Sequence, residues 1–202
     1  MTRFARTVGV LAAVVALGAI AVAAKPGKTS RLPRGSEAVH LNPAEFTTNI
    51  DNPYWPMRPR SRWVYRETDQ EGGKAARGRH GHRPDKRIAN GITARVVHDV
   101  VTERGTPVEV TDDWYAQDRA GSVWYLGEHT TGYANGKPTT TEGSFEAGVD
   151  GAQPGVIMPA RPKAGLSYRQ EYYRGTRRTR RGCSASRSRW ACRSGTSRRD
   201  GS

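Results

Sequence analysis

Ile92-Thr93-Ala94-Arg95-Val96-Val97-His98-Asp99-Val100-Val101 is the stretch that decides the fold class. It is too rich in β-branched residues for a good helix, and side chains of that shape pack well on a pleated, partly buried surface. The run reaches a turn at Glu103-Arg104-Gly105-Thr106 and sets off again as Pro107-Val108-Glu109-Val110, which predicts a hairpin. The second arm continues through Asp112-Asp113-Trp114-Tyr115-Ala116-Gln117, turns at Asp118-Arg119-Ala120-Gly121 and returns as Ser122-Val123-Trp124-Tyr125-Leu126. Asn135-Gly136 marks a further tight turn, because both residues tolerate positive φ. Upstream, Arg62-Trp63-Val64-Tyr65-Arg66 is another strand candidate. No segment after residue 24 sustains a helical apolar repeat. The reading is mainly β: an antiparallel meander of short strands, arranged as a single sheet, a sandwich or a partly open barrel. About 130 residues of this kind suffice for one domain and not for two.

The N-terminus has a different character. Arg3 and Arg6 precede an uncharged, mostly apolar run from Thr7 to Ala24, and the next charge is Lys25. That order is the order of a secretory signal peptide, with a small-x-small cleavage site at Ala21-Val22-Ala23. An uncleaved anchor is the competing reading, and the run is at the short end of the ~20 residues that span a bilayer. The expectation is therefore a secreted, extracytoplasmic protein, with residues 1–24 as signal peptide, 25–40 as flexible linker and 41–173 as the β-rich domain. Membrane contact would come only through the signal segment before cleavage.

Total charge points to a polyanion binder, with Lys and Arg outnumbering Asp and Glu by 33 to 19. The excess is local. Residues 174–202 hold ten arginines and one acid, and residues 72–86 hold five basic residues and one acid. Without these stretches and the signal segment, 16 basic residues face 17 acidic ones. The domain itself is near neutral, so nucleic-acid binding is not the expected function.

Several ordered blocks carry a resemblance. Asp51-Asn52-Pro53-Tyr54-Trp55-Pro56-Met57-Arg58-Pro59, Trp63-Val64-Tyr65, Asp113-Trp114-Tyr115-Ala116-Gln117-Asp118 and Val123-Trp124-Tyr125 form the first half. Gly143-Ser144-Phe145-Glu146-Ala147-Gly148-Val149-Asp150-Gly151, Ile157-Met158-Pro159-Ala160 and Tyr168-Arg169-Gln170-Glu171-Tyr172 form the second. Over most of residues 46–173 the chain resembles an uncharacterised family of exported bacterial proteins. That resemblance implies no activity. Two departures from it are informative. Arg60 stands where the family tends to have Gly, at the turn into the Trp63 strand, and residues 75–84 replace a valine-rich strand with Arg, Gly, Ala and His.

GC-rich codons for residues 75–84, read one base later, can encode an alternating valine and threonine strand, and codons for residues 189–197 read one base earlier can encode a strand and turn. We therefore read residues 74–85, and those from about 174 onward, as out of frame. The alternative is a basic loop over 72–86 and an Arg-rich disordered tail over 174–202. Either way these stretches are expected to have low order, leaving a domain that is incomplete, open-edged and poorly soluble.

The chemical motifs are thin. His80 and His82 would bring two imidazoles to a metal, but no ligand set at zinc spacing completes them, so no metal site is expected. Cys183 and Cys192 would pair in an oxidising compartment, yet both lie in the tail and no structural bridge is expected within the domain. No phosphate-cradling Gly loop or calcium loop is present, so no cofactor is expected. Asp112, Asp113, Glu142, Glu146 and Asp150 supply carboxylates for acid/base hydrolysis, although Asp112 and Asp113 should point to opposite faces of a strand. Ser144 lacks a nucleophile-elbow setting, and His98 or His129 would have to serve as its base. The better binding candidates are the aromatic couples Tyr54-Trp55, Trp114-Tyr115 and Trp124-Tyr125. In a strand each couple sends one ring to each face, one into the core and the other either exposed as a platform for sugar rings or an apolar ligand or laid over a neighbouring strand. Packing is the favoured reading, because a small domain with two Phe after residue 24 needs its aromatics inside.

Three functions remain open: a non-catalytic domain that binds or scaffolds at the bacterial cell envelope, an extracytoplasmic hydrolase using Asp/Glu carboxylates, and a polyanion binder using the Arg-rich tail.

Overall fold

The computed structural model describes residues 32–68, 74–80, 85–173, 177–186 and 189–196. The proposed signal segment, its cleavage site and His82 lie outside these residues. Apart from a 3₁₀ turn at Pro43–Glu45, every regular element is a strand. The strands are β1 (Phe46–Thr47), β2 (Arg62–Thr68), β3 (Lys74–His80), β4 (Lys86–Arg87), β5 (Thr93–Glu103), β6 (Thr106–Asp118) and β7 (Val123–Ala134). They continue with β8 (Lys137–Thr140), β9 (Phe145–Glu146), β10 (Gln153–Met158), β11 (Ser167–Tyr173), β12 (Arg177–Ser186) and β13 (Arg189–Thr196). All named pairings are antiparallel, and the sheet runs open from β2 to β13 in the order β2-β3-β5-β6-β7-β10-β11-β12-β13. Of the three arrangements left open by the sequence, this is the single, unclosed sheet.

Turn chemistry sets the register of the central strands. Arg104 and Gly105 both have positive φ, 49° and 83°, and join β5 to β6 in a two-residue loop. Asn135 and Gly136 do the same between β7 and β8. This backbone twist matches the twist of the flanking strands. At the β6–β7 turn Asp118 accepts hydrogen bonds from the Ser122 amide and from the Trp124 indole, both at 2.8 Å. Arg60 has φ 65°, a conformation that costs a residue with a Cβ and not glycine.

Both faces of the sheet are covered. On one, Ala94, Val96, Trp114, Ala116, Trp124 and Leu126 form a core against which Leu32, Val39, Leu41 and Phe46 pack. On the other, Val97, Tyr115, Val123 and Tyr125 pack with Ile50, Met57 and Phe145. Alternation along β5, β6 and β7 divides the apolar side chains between the two cores.

Three expectations need correction. Within the expected basic loop, residues 74–80 form β3 and pair on both sides, with β2 and with β5. Within the expected disordered tail, β12 and β13 form a hairpin that continues the sheet from β11. Sequence reading weighted side chains, whereas a ladder is made of backbone N–H and C=O groups that any non-proline residue supplies, and a flanking strand can override weak propensity. The third correction concerns the linker, whose distal part is fastened to the sheet. Arg169, fully buried on β11, donates to the carbonyls of Gly35 at 2.7 Å, Glu37 at 2.8 Å and Pro154 at 2.9 Å. Glu37 in turn accepts from the backbone N–H groups of Arg34 and Gly35, and these bonds, the Arg34 one foremost, hold its carboxyl below the usual range.

Candidate functional site

The aromatic couples divide between the faces, as strand geometry requires, but they do not make a platform. Trp114, Tyr115, Trp124 and Tyr125 are all buried. Phe46 meets Trp124 edge-on at 6.2 Å, while Tyr115 stacks on Tyr125 at 5.0 Å and Phe145 meets Tyr125 edge-on at 5.3 Å. Trp55 is half-buried and packs against the second core, leaving only Tyr54 exposed, at 44 %. The rings pack as core because segments from outside the strands cover the second face as well as the first.

A β-bulge creates the more interesting geometry. Tyr115 faces Tyr125 across β6 and β7, but its neighbour Trp114 faces Gly127, so β7 carries one extra residue at this point. Gly127 has φ 152°, and a Cβ there would lie 2.4 Å from Cε3 of Trp114 and 2.5 Å from the carbonyl oxygen of Phe145. Only glycine lets the indole and β9 close in on β7 from both sides. Beyond the bulge, Glu128 comes opposite Asp113, His129 opposite Asp112, and Thr130 opposite Thr111.

Two polar groupings follow, one on each face. Asp113 accepts a 2.6 Å hydrogen bond from the Tyr125 hydroxyl, with Glu128 close enough to act on the same group. Burial, reinforced by the Asp113 and Glu128 charges, raises the Tyr125 hydroxyl well above its ordinary pKa. On the opposite face His98 Nδ1 lies 2.7 Å from Asp112 Oδ1, and His129 is the next cross-strand neighbour. Asp112 and Asp113 therefore do serve opposite faces. Among the described residues, no group of three or more His, Cys, Asp or Glu side chains is placed to hold a metal ion. In the β12–β13 ladder, Cys183 stands opposite Cys192.

Where β7 meets β9, a cavity of about 240 Å³ opens. Glu128, Glu146 and Asp150 supply carboxylates to its wall, and Trp114, Phe145 and Tyr173 supply rings. His129 and Ser144 complete the polar lining. Of the five carboxylates singled out from sequence, Glu146 and Asp150 meet here, whereas Glu142, Asp112 and Asp113 do not line the cavity. Glu146 is held firmly: Lys86 Nζ lies 3.0 Å from its Oε2, and the Ala89 amide donates to Oε1 at 3.1 Å. Ser144 Oγ accepts from the Thr130 amide at 2.9 Å and donates to the Thr130 carbonyl at 3.3 Å. Its proton thus goes to the main chain and not to His129, and His98 is engaged with Asp112 on another part of the sheet.

Lys86, Glu128 and Tyr173 were not singled out from sequence. A mid-strand glycine was the available signal for Glu128, since Gly127 marks the bulge that resets which residues share a face. Lys86 is separated from Glu146 by 60 positions and carries no local signal. No protein-family model matches the chain, and neither a curated protein nor a solved structure matches it.

Proposed function

We propose that this chain is an exported bacterial protein whose β-domain binds a small polar ligand at the cell envelope without catalysing a reaction. The signal-type N-terminus and the resemblance to an exported family support export. The observation that carries the binding reading is the cavity where β7 meets β9, in which two of the candidate chemical groups, Glu146 and Ser144, are already committed. Glu146 is tied to Lys86 and to the Ala89 amide, and the Ser144 hydroxyl is tied to the β7 backbone. Fixed acceptors beside aromatic walls suit recognition, whereas acid/base catalysis needs a group free to gain and lose a proton within reach of the substrate. A volume of about 240 Å³ suits one small moiety, not a polymer chain.

The hydrolase alternative rests on the convergence of Glu128, Glu146 and Asp150 in one concavity. Fractionation of a bacterial host expressing the full chain, with N-terminal sequencing, tests export. A mature end just after Ala23 in the extracytoplasmic fraction is expected, and retention of an intact residue 1 in the cytoplasm overturns it. For chemistry, the purified chain is assayed against chromogenic glycosides and esters beside Glu146→Gln and Asp150→Asn. Turnover that is lost in either variant overturns the non-catalytic reading.

A further inference from the structure

An ammonium group already sits against two residues of the cavity wall. Lys86 Nζ lies over the Trp114 ring, 3.1 Å from its centroid, and 3.0 Å from Glu146 Oε2. One aromatic face and one carboxylate are the pair of groups that recognise organic cations, the ring through its quadrupole and the carboxylate through its charge. The Trp114 ring is held in position by close approach of the Gly127 backbone. Lys86 belongs to a two-residue strand paired with Ala94 and Thr93, and its side chain is 34 % exposed, so its long stem can swing away without disturbing the sheet. The same cavity presents Glu128 and Asp150 in addition to Glu146, with Phe145 and Tyr173 as further rings. Carboxylates gathered on one wall favour a cationic ligand over an anionic one.

We infer that the cavity takes a small organic cation, a primary or quaternary ammonium group, and that Lys86 is its intramolecular competitor for the Trp114–Glu146 position. The inference rests on the binding reading above and names the ligand class for that site. When the cation enters, its charge takes the place of the Lys86 ammonium against Glu146, and the Lys86 side chain moves into solvent, where it is well hydrated. No bond is made or broken.

The test uses tetramethylammonium and cadaverine as probes, 3,3-dimethylbutanol as a neutral probe of similar shape, and a panel of neutral monosaccharides. Binding to the full chain is followed by NMR of the tryptophan indole and tyrosine ring signals. The ammonium probes should bind about tenfold more tightly than the neutral alcohol, in keeping with a partly desolvated cation–π contact plus an ion pair. Lys86→Met should tighten the ammonium probes by about five- to tenfold and leave the alcohol unchanged, and Glu146→Gln should weaken them. Equal affinity for the alcohol, or no gain in Lys86→Met, overturns the inference. Monosaccharides that perturb the Trp114 and Tyr173 signals where ammonium probes do not would sink the cation and leave the binding site standing. Absence of any binding to either the parent chain or Lys86→Met removes both.

Discussion

Gly127→Ala tests the link between the bulge and the site most directly. The added methyl would lie 2.4 Å and 2.6 Å from two carbons of the Trp114 ring and 2.5 Å from the Phe145 carbonyl oxygen, well inside contact distance on two sides. Forcing such a group into a packed core costs about 1–3 kcal/mol in displaced side chains and backbone. The backbone at φ 152° adds strain of about 1 kcal/mol or more for a residue with a Cβ. The expected loss is therefore ~3 kcal/mol, a large part of the about 5–15 kcal/mol that stabilises a typical domain. Urea unfolding followed by far-UV circular dichroism should show the midpoint falling by about 1–3 M with the slope unchanged. Gly136→Ala is the control. Its φ is 73° and an added Cβ meets nothing within 4 Å, so it carries only conformational strain of about 1–2 kcal/mol. If Gly127→Ala unfolds within about 0.5 kcal/mol of the parent chain, or no lower than Gly136→Ala, the close approach of Trp114 and β9 to Gly127 is not what holds this corner together.

Arg169→Met should destabilise by about 1–3 kcal/mol in the same assay, because it strips a charged donor from the buried carbonyl of Pro154 and the part-buried carbonyls of Gly35 and Glu37. Limited proteolysis should then cut between residues 33 and 40 first, and equal protease resistance in parent and variant would refute the fastening role. Tyr125 bears on alkaline stability. Its folded pKa lies above the ordinary value of about 10, so with rising pH the unfolded chain loses this proton first and stability falls from about pH 10 upward. Tyr125→Phe should lose that part of the slope while costing about 1–3 kcal/mol at neutral pH, where Asp113 forfeits the hydroxyl donor; parallel pH profiles would count against the assignment. Arg60→Gly should raise stability by about 0.5–1 kcal/mol, since relief of the φ 65° strain outweighs the greater freedom glycine gives the unfolded chain, and a lower urea midpoint would contradict it.

What the sequence determined by itself is the local part of the fold. β-branched composition, Arg104-Gly105 and Asn135-Gly136 are enough to establish strands, hairpins and antiparallel order, because each acts on φ/ψ over two to four residues. Alternation likewise told that Trp114 and Tyr115, or Asp112 and Asp113, go to opposite faces. Tertiary structure decided the rest. Whether a face is solvated depends on distant segments: Leu32 to Phe46 cover one side and Ile50 with Met57 the other, which turns a supposed aromatic platform into core. The strands at 74–80, 177–186 and 189–196 arise from neighbouring ladders, not from their own composition. The site takes Glu128 from a bulge that shifts it onto the Asp113 face, and Lys86 meets Glu146 beside it across 60 positions. Backbone preference is local and so can be read in order along the chain, whereas burial and charge pairing depend on which segments the folded sheet brings together.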